Sequence, residues 1–127
     1  MIFTDGGAEP NPGPGGIGVV IQNRHGESIT TISRSVGTVT NNQAEYMAVI
    51  VALEKAISLG FNEVEMRADS ELIVRQINGR YKVKNANLKP LYQKVIELKS
   101  RLKSFTITHI PRNLNREADK LAGEALR

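Results

Sequence analysis

Apolar positions along the chain recur with two periods, first of two and then of about 3.6, and the changes of period mark out the elements. Phe3 to Asp5 closes a short strand that the first residue already enters, and Gly18-Val-Val-Ile-Gln22 reads as a second strand. Between them, the glycine- and proline-rich stretch from Gly6 to Gly16 reads as a turn, because these residues break regular structure and supply special φ values. Arg24-His-Gly26 predicts a hairpin turn, and Ser28 to Ser35 a returning strand with polar alternation. The period then lengthens. Ala44, Met47, Ala48, Val51, Ala52 and Ile57 predict a helix that Asn41 or Asn42 can cap and Gly60 ends. Val64, Met66 and Ala68 alternate as a fourth strand, with Asp69 at its end. Ser70 to Asn78 reads as a short helix stopped by Gly79. Leu91, Val95, Leu98 and Leu102 stripe a helix from about Lys89 to Lys103. Phe105, Ile107 and His109-Ile110 form a last strand broken by Pro111. Glu117 to Leu126 is a final helix presenting Leu121, Ala122, Ala125 and Leu126. The order β, β, β, α, β, α, α, β, α predicts an α/β fold: an antiparallel meander of three strands, extended by parallel strands that arrive through helices.

Length and composition narrow the chemistry. The 127 residues make one domain, expected to span 1–127. Cysteine is absent, which excludes disulfides, thiolate nucleophiles and thiolate-held metals, and two histidines argue against a histidine-rich metal site. No apolar run approaches the roughly 18 residues of a membrane span, and the first residues lack the pattern of a signal peptide. The expectation is a soluble, cytoplasmic monomer with no membrane partner. Net charge is +4, but unevenly distributed. Residues 1–74 carry four basic against nine acidic side chains, net −5; residues 75–127 carry 13 against four, net +9. A basic half suggests a polyanionic partner, with solvated helix faces as the plain alternative.

Four carboxylates stand where α/β sheets build sites: Asp5 and Asp69 at strand ends, Glu45 and Asp119 in the first turns of helices. Gathered together they would repel, since unit charges 4 Å apart cost about 4 kcal/mol at an effective dielectric near 20. Such a group tolerates itself with protons or hard cations, and oxygen-only ligation favours Mg²⁺ or Mn²⁺. Each acid also has a local explanation. Glu45 could close a capping box with Asn42, Asp69 could cap the helix at Ser70, Asp119 could answer the helix dipole, and Asp5 could be a turn residue.

Four motifs in register resemble type I ribonuclease H. They are Thr4-Asp5-Gly6-Gly7 with Asn11-Pro-Gly-Pro-Gly-Gly16 and Gly18; Thr40-Asn41-Asn42-Gln43-Ala44-Glu45; Asp69-Ser70 after a strand; and Asn115-Arg-Glu-Ala-Asp119-Lys-Leu-Ala122. The resemblance covers essentially the whole chain. It implies a ribonuclease H-like fold, a mixed five-stranded sheet with helices on both faces. It also implies endonucleolytic hydrolysis of the RNA strand of an RNA–DNA hybrid with two Mg²⁺ ions, leaving 3′-hydroxyl and 5′-phosphate ends. Asp5, Glu45, Asp69 and Asp119 match the family's metal-binding carboxylates. Asn41 and Asn42 match residues that bond sugars and bases in the hybrid's minor groove, Thr40 a contributor to a DNA phosphate pocket, and Asn11 another substrate-side asparagine. Ser70 has a minor substrate role at best.

Two departures from the best-known bacterial pattern stand out. Those members place an assisting histidine in a loop before the last carboxylate. Here His109 falls in a predicted strand, and Arg112 in Ile110-Pro-Arg-Asn-Leu-Asn115 resembles the arginine of shorter-loop members, so Arg112 is the favoured residue. The basic protrusion is also missing: the segment between Ile77 and Leu88 offers only Arg80, Lys82 and Lys84 for the substrate, with a solvated loop as the alternative. Two other readings remain: the ribonuclease H domain of a reverse transcriptase or retroelement cut from a larger chain, and a catalytically inactive nucleic-acid-binding module. An inactive module would be expected to lose at least one carboxylate, and all four are present.

Overall fold

In the computed structural model, which describes residues 1–126, the glycine-rich opening is strand rather than turn. β1 (Ile2–Ala8) and β2 (Gly13–Gln22) pair antiparallel through Gly7 with Gly16 and Ala8 with Gly15, which shrinks the predicted Gly6–Gly16 turn to residues 9–12. None of these glycines has a positive φ, and at Gly6 and Gly16 a side chain would run into the main chain of a helix, so these two serve close approach and not a bend. β3 (Ser28–Val39) likewise runs past its predicted end at Ser35. An irregularity leaves Val36 unpaired, and Gly37 takes φ +79. The remaining elements are α1 (Asn41–Ser58), β4 (Glu63–Ala68), α2 (Glu71–Ile77), α3 (Lys89–Lys99), β5 (Ser104–His109), a 3₁₀ turn (Arg112–Leu114) and α4 (Arg116–Glu124). α3 is shorter than its apolar stripe, with Leu102 beyond its end and half-buried.

The five strands lie in the order β3-β2-β1-β4-β5. The first three form the expected meander, and β4 and β5 join parallel to β1 and to each other, through α1 and through α2 with α3. The main core lies between one sheet face and these three helices, with Val19, Ile21, Tyr46, Leu53, Ile73, Val95 and Leu98 fully or almost fully buried. α4 packs on the other face, over β1 and β2.

One predicted core stripe needs correction. Ala44, Ala48 and Ala52 of α1 are buried, but Met47, Val51 and Ile57 are only half-buried, and Tyr46, Val49, Leu53 and Ala56 are fully buried instead. α1 is pressed between the sheet and α3, so it is apolar on most sides and the spacing of its apolar residues does not single out one face.

Two glycines set how closely helices seat on the sheet. A Cβ on Gly6 would drive into the Ala44 carbonyl and lie 2.8 Å from the Glu45 nitrogen; one on Gly18 would meet the Ala118 carbonyl and lie 2.7 Å from the Ala122 nitrogen. α1 and α4 therefore rest main chain to main chain on β1 and β2, at the end of the sheet where Asp5 pairs with Gly18.

Candidate active site

Parallel pairing of Thr4 with Ala68 carries Asp5 and Asp69 to adjacent positions at the same edge of the site. Glu45 enters from α1, its Oε1 accepting a hydrogen bond of 3.3 Å from the Gly6 nitrogen. One carboxylate oxygen from each of Asp5, Glu45 and Asp69 lies within 4.8 Å of the other two. Asp119 lines the same cleft, a recess of about 510 Å³, and its Oδ1 accepts from Arg112 Nη2 at 3.2 Å.

Local caps leave these acids free. The N-cap of α1 is Thr40 rather than Asn41 or Asn42. Its Oγ1 accepts from the Gln43 nitrogen at 3.1 Å, and Gln43 Oε1 accepts from the Thr40 nitrogen at 2.8 Å. Glu45 therefore takes no part in a capping box and begins the second turn, not the first. Ser70, not Asp69, caps α2, with Oγ accepting from the Ile73 nitrogen at 3.4 Å. Asp119 does lie in the first turn of α4, where the helix dipole favours an acid whether or not it has a second role.

The electrostatics follow from burial. Asp5 and Glu45 are 7% and 8% exposed. Burial, aided by Asp69, pushes the Asp5 carboxyl up to about 7, although its hydrogen bond with Glu45 pulls the other way. Burial first, and then the neighbouring Asp5, holds Glu45 well above the ordinary carboxylate range. Without a cation, two clustered acids keep a proton between them near neutrality. An all-oxygen donor set at this spacing suits a hard divalent cation, which would displace that proton.

The substrate-side residues divide into two groups. Asn41 Oδ1 accepts from the Ala8 nitrogen at 2.7 Å, and Asn11 Oδ1 accepts from the Asn41 nitrogen at 3.0 Å, so the β1–β2 loop is tied to the start of α1. Both side chains spend their carbonyl oxygen on main chain, which leaves the Nδ2 donors for a ligand. With Thr40 and Asn42 they line a second recess of about 430 Å³, which Asn85 and Asn87 close from the other side. Sequence reasoning missed Asn85 and Asn87, whose only signal is the run Asn85-Ala-Asn87 after Lys84 in an irregular stretch. Arg80, Lys82 and Lys84 are exposed in the segment after Gly79, around a buried Val83. Arg75 braces that segment: its guanidinium lies 5.1 Å from the Tyr81 ring centre and donates to the Tyr81 hydroxyl at 2.6 Å.

Arg112 lines the carboxylate cleft, whereas His109 is exposed at the end of β5 and does not. Arg112→Ala is expected to slow turnover more than tenfold and His109→Ala by much less, because a guanidinium beside the acids can meet a phosphate without titrating. Matched single-turnover rates for the two variants check this, and the reverse ranking would return the role to the histidine. Asn115, the first residue of the fourth motif, is buried behind the cleft and donates to Asp69 Oδ2 at 2.9 Å.

A family model described as reverse transcriptase-like matches residues 3–125. The chain is 39% identical, over 124 residues and 98% of its length, to a ribonuclease HI of Halobacterium salinarum, and spans 62% of that relative's length. It superposes on a crystal structure of an RNase H1 from the same archaeon with a TM-score of 0.96 and 38% identity, covering 98% of this chain and 95% of that one. LC11-RNase H1, solved in complex with an RNA/DNA hybrid, gives 0.94 and 48%, covering 98% and 94%.

Proposed function

Because the chain belongs to the type I ribonuclease H family, we propose that it hydrolyses the RNA strand of RNA–DNA hybrids endonucleolytically, leaving 3′-hydroxyl and 5′-phosphate ends. The observation that carries this reading is the convergence of Asp5, Glu45 and Asp69 within 4.8 Å, in a cleft shared with Asp119 and Arg112. The four carboxylates would hold two divalent ions, Mg²⁺ with Mn²⁺ as a substitute. When bound, these ions supply an activated water and charge neutralisation at the scissile phosphate. Arg112 offers guanidinium donors to the phosphate beside them. Asn11, Asn41 and Asn42 present side-chain amides able to read the 2′-hydroxyls and base edges of the hybrid's minor groove. Thr40, with Asn85 and Asn87 opposite it, offers neutral donors to a phosphate of the DNA strand. Ser70 is occupied as a cap, which supports no more than a minor substrate role. Retention of all four acids favours an enzyme over an inactive binding module.

End-labelled RNA–DNA hybrid, RNA–RNA duplex and DNA–DNA duplex, each with Mg²⁺ or EDTA, test this directly. Cleavage of only the RNA of the hybrid, and only with metal, is expected; equal cutting of RNA–RNA duplex or full activity in EDTA would overturn it.

The basic segment supplies grip in this reading. Replacing Arg80, Lys82 and Lys84 together by alanine is expected to make the log K against log salt slope shallower by roughly 2 to 3, at about 0.7 to 0.9 per phosphate contact. Affinity should fall evenly across hybrid sequences, because phosphate contacts carry no base information. Binding by a cleavage-inactive Asp69→Asn form in Ca²⁺, across a salt series, checks this. An unchanged slope would make the three residues ordinary surface charge.

A further inference from the structure

Asn115 occupies the N-cap position of α4, yet its side chain caps nothing. An asparagine there ordinarily turns its oxygen to the free amides of the first turn. Here the amide is 1% exposed and turned inward, with Nδ2 donating both to the Thr4 carbonyl at 2.8 Å and to Asp69 Oδ2 at 2.9 Å. Its Oδ1 is buried and has no hydrogen-bond partner among the described residues. The orientation is nevertheless forced, since a flipped amide would set an oxygen against two other oxygens. Forgoing the cap and orphaning an acceptor are both unfavourable, so the geometry serves something other than helix stability.

What it serves can be read from its three connections. Thr4 is the residue before Asp5; Asp69 is bonded directly; and the Asn115 carbonyl accepts from the Asp119 nitrogen at 3.0 Å. One residue thus ties together the backbone beside Asp5, the carboxylate of Asp69 and the turn that carries Asp119. We infer that Asn115 is a positioning residue: by donating to Asp69 Oδ2 it fixes that carboxylate's rotamer, keeps Oδ1 for a cation and locks α4 against β1, and so sets the metal affinity of the cluster. This rests on the carboxylates being the metal site. A partner of this kind, outside the ligands themselves, commonly changes metal affinity by about ten- to a hundredfold.

The test is Mn²⁺ binding by calorimetry, without substrate, to the wild-type chain, Asn115→Ala, Asn115→Ser and a control, Gln76→Ala. The control deletes the acceptor of a buried 2.7 Å bond from the Tyr46 hydroxyl, and neither Gln76 nor Tyr46 lines the carboxylate cleft. Asn115→Ala is expected to bind Mn²⁺ at least about tenfold more weakly, while Gln76→Ala loses melting temperature but keeps wild-type affinity. In steady-state cleavage the Asn115→Ala deficit should shrink as Mg²⁺ is raised, with KM for hybrid unchanged. If Asn115→Ala does not fold, Asn115→Ser, which keeps a hydroxyl donor, takes its place, and weaker binding than the control is required of it. Wild-type affinity in the folded Asn115 variant, or an equal loss in the control, overturns the inference. If the wild-type chain itself binds no Mn²⁺, the metal-site reading fails instead.

Discussion

Asp69→Asn is expected to lower hybrid cleavage by about a hundredfold or more while leaving the fold intact. The substitution is isosteric, and the new side chain can still accept from Asn115 Nδ2, so the contact at 2.9 Å survives. What is lost is one negative charge from a donor set whose three oxygens lie within 4.8 Å. Removing one group that organises transition-state charge commonly costs about 10² to 10³ in rate. Because Asp69 takes no part in capping α2, nothing structural should mask the effect. Turnover of a hybrid with saturating Mg²⁺, alongside circular dichroism, checks this. Near-wild-type turnover would remove Asp69 from the ligands.

The second large effect concerns stability without metal. The Asp5 carboxyl lies near 3.8 when unfolded and is raised to about 7 in the fold. Between those values the native state holds more protons than the unfolded chain, so stability falls as pH rises from about 4 to 7. Glu45 shifts in the same direction. At about 1.4 kcal/mol per pH unit the Asp5 contribution is bounded near 4 kcal/mol, and sharing a proton with Glu45 keeps the two from adding. Asp5→Asn removes the ionisation. In EDTA the variant should melt several degrees above the wild-type chain at pH 7 and close to it at pH 4. Melting curves over pH 4 to 8 measure this, and a wild-type melting temperature that climbs across that window would refute the burial argument. Excess Mg²⁺ should flatten the wild-type slope, because a bound cation replaces the proton.

Which parts of this were legible in the sequence follows from the range of the interactions. The three-strand meander and the parallel crossovers were readable because periodicity and chain connectivity are local. The opening glycines misled because a glycine kept for close approach looks like one kept for a turn: only the distant Ala44 and Ala118 carbonyls distinguish them. Capping was misassigned by one or two residues, from Thr40 to Asn41 or Asn42, since threonine and asparagine both cap well. The acids could be nominated singly, but their convergence depends on β1–β4 register and on the seats of two helices. Asn115 escaped because its partner Thr4 is 111 residues away. Asn85 and Asn87 escaped because an irregular segment carries no period.

The absent Cβ atoms at Gly6 and Gly18 invert the usual relation between residue size and tolerance. Core side chains such as Val49 or Leu53 can be exchanged for others of similar volume, with neighbouring rotamers taking up the difference in shape. A single methyl at Gly6 has no such outlet, since its obstacle is the main chain of α1, and relief would mean shifting the helix that bears Glu45. At Gly18 the obstacle is the main chain of α4, which bears Asp119. Two of the reference surfaces of the carboxylate cleft are thus backbone against backbone, where no rotamer can take up an error. Two of the smallest residues in the chain act as its gauge blocks.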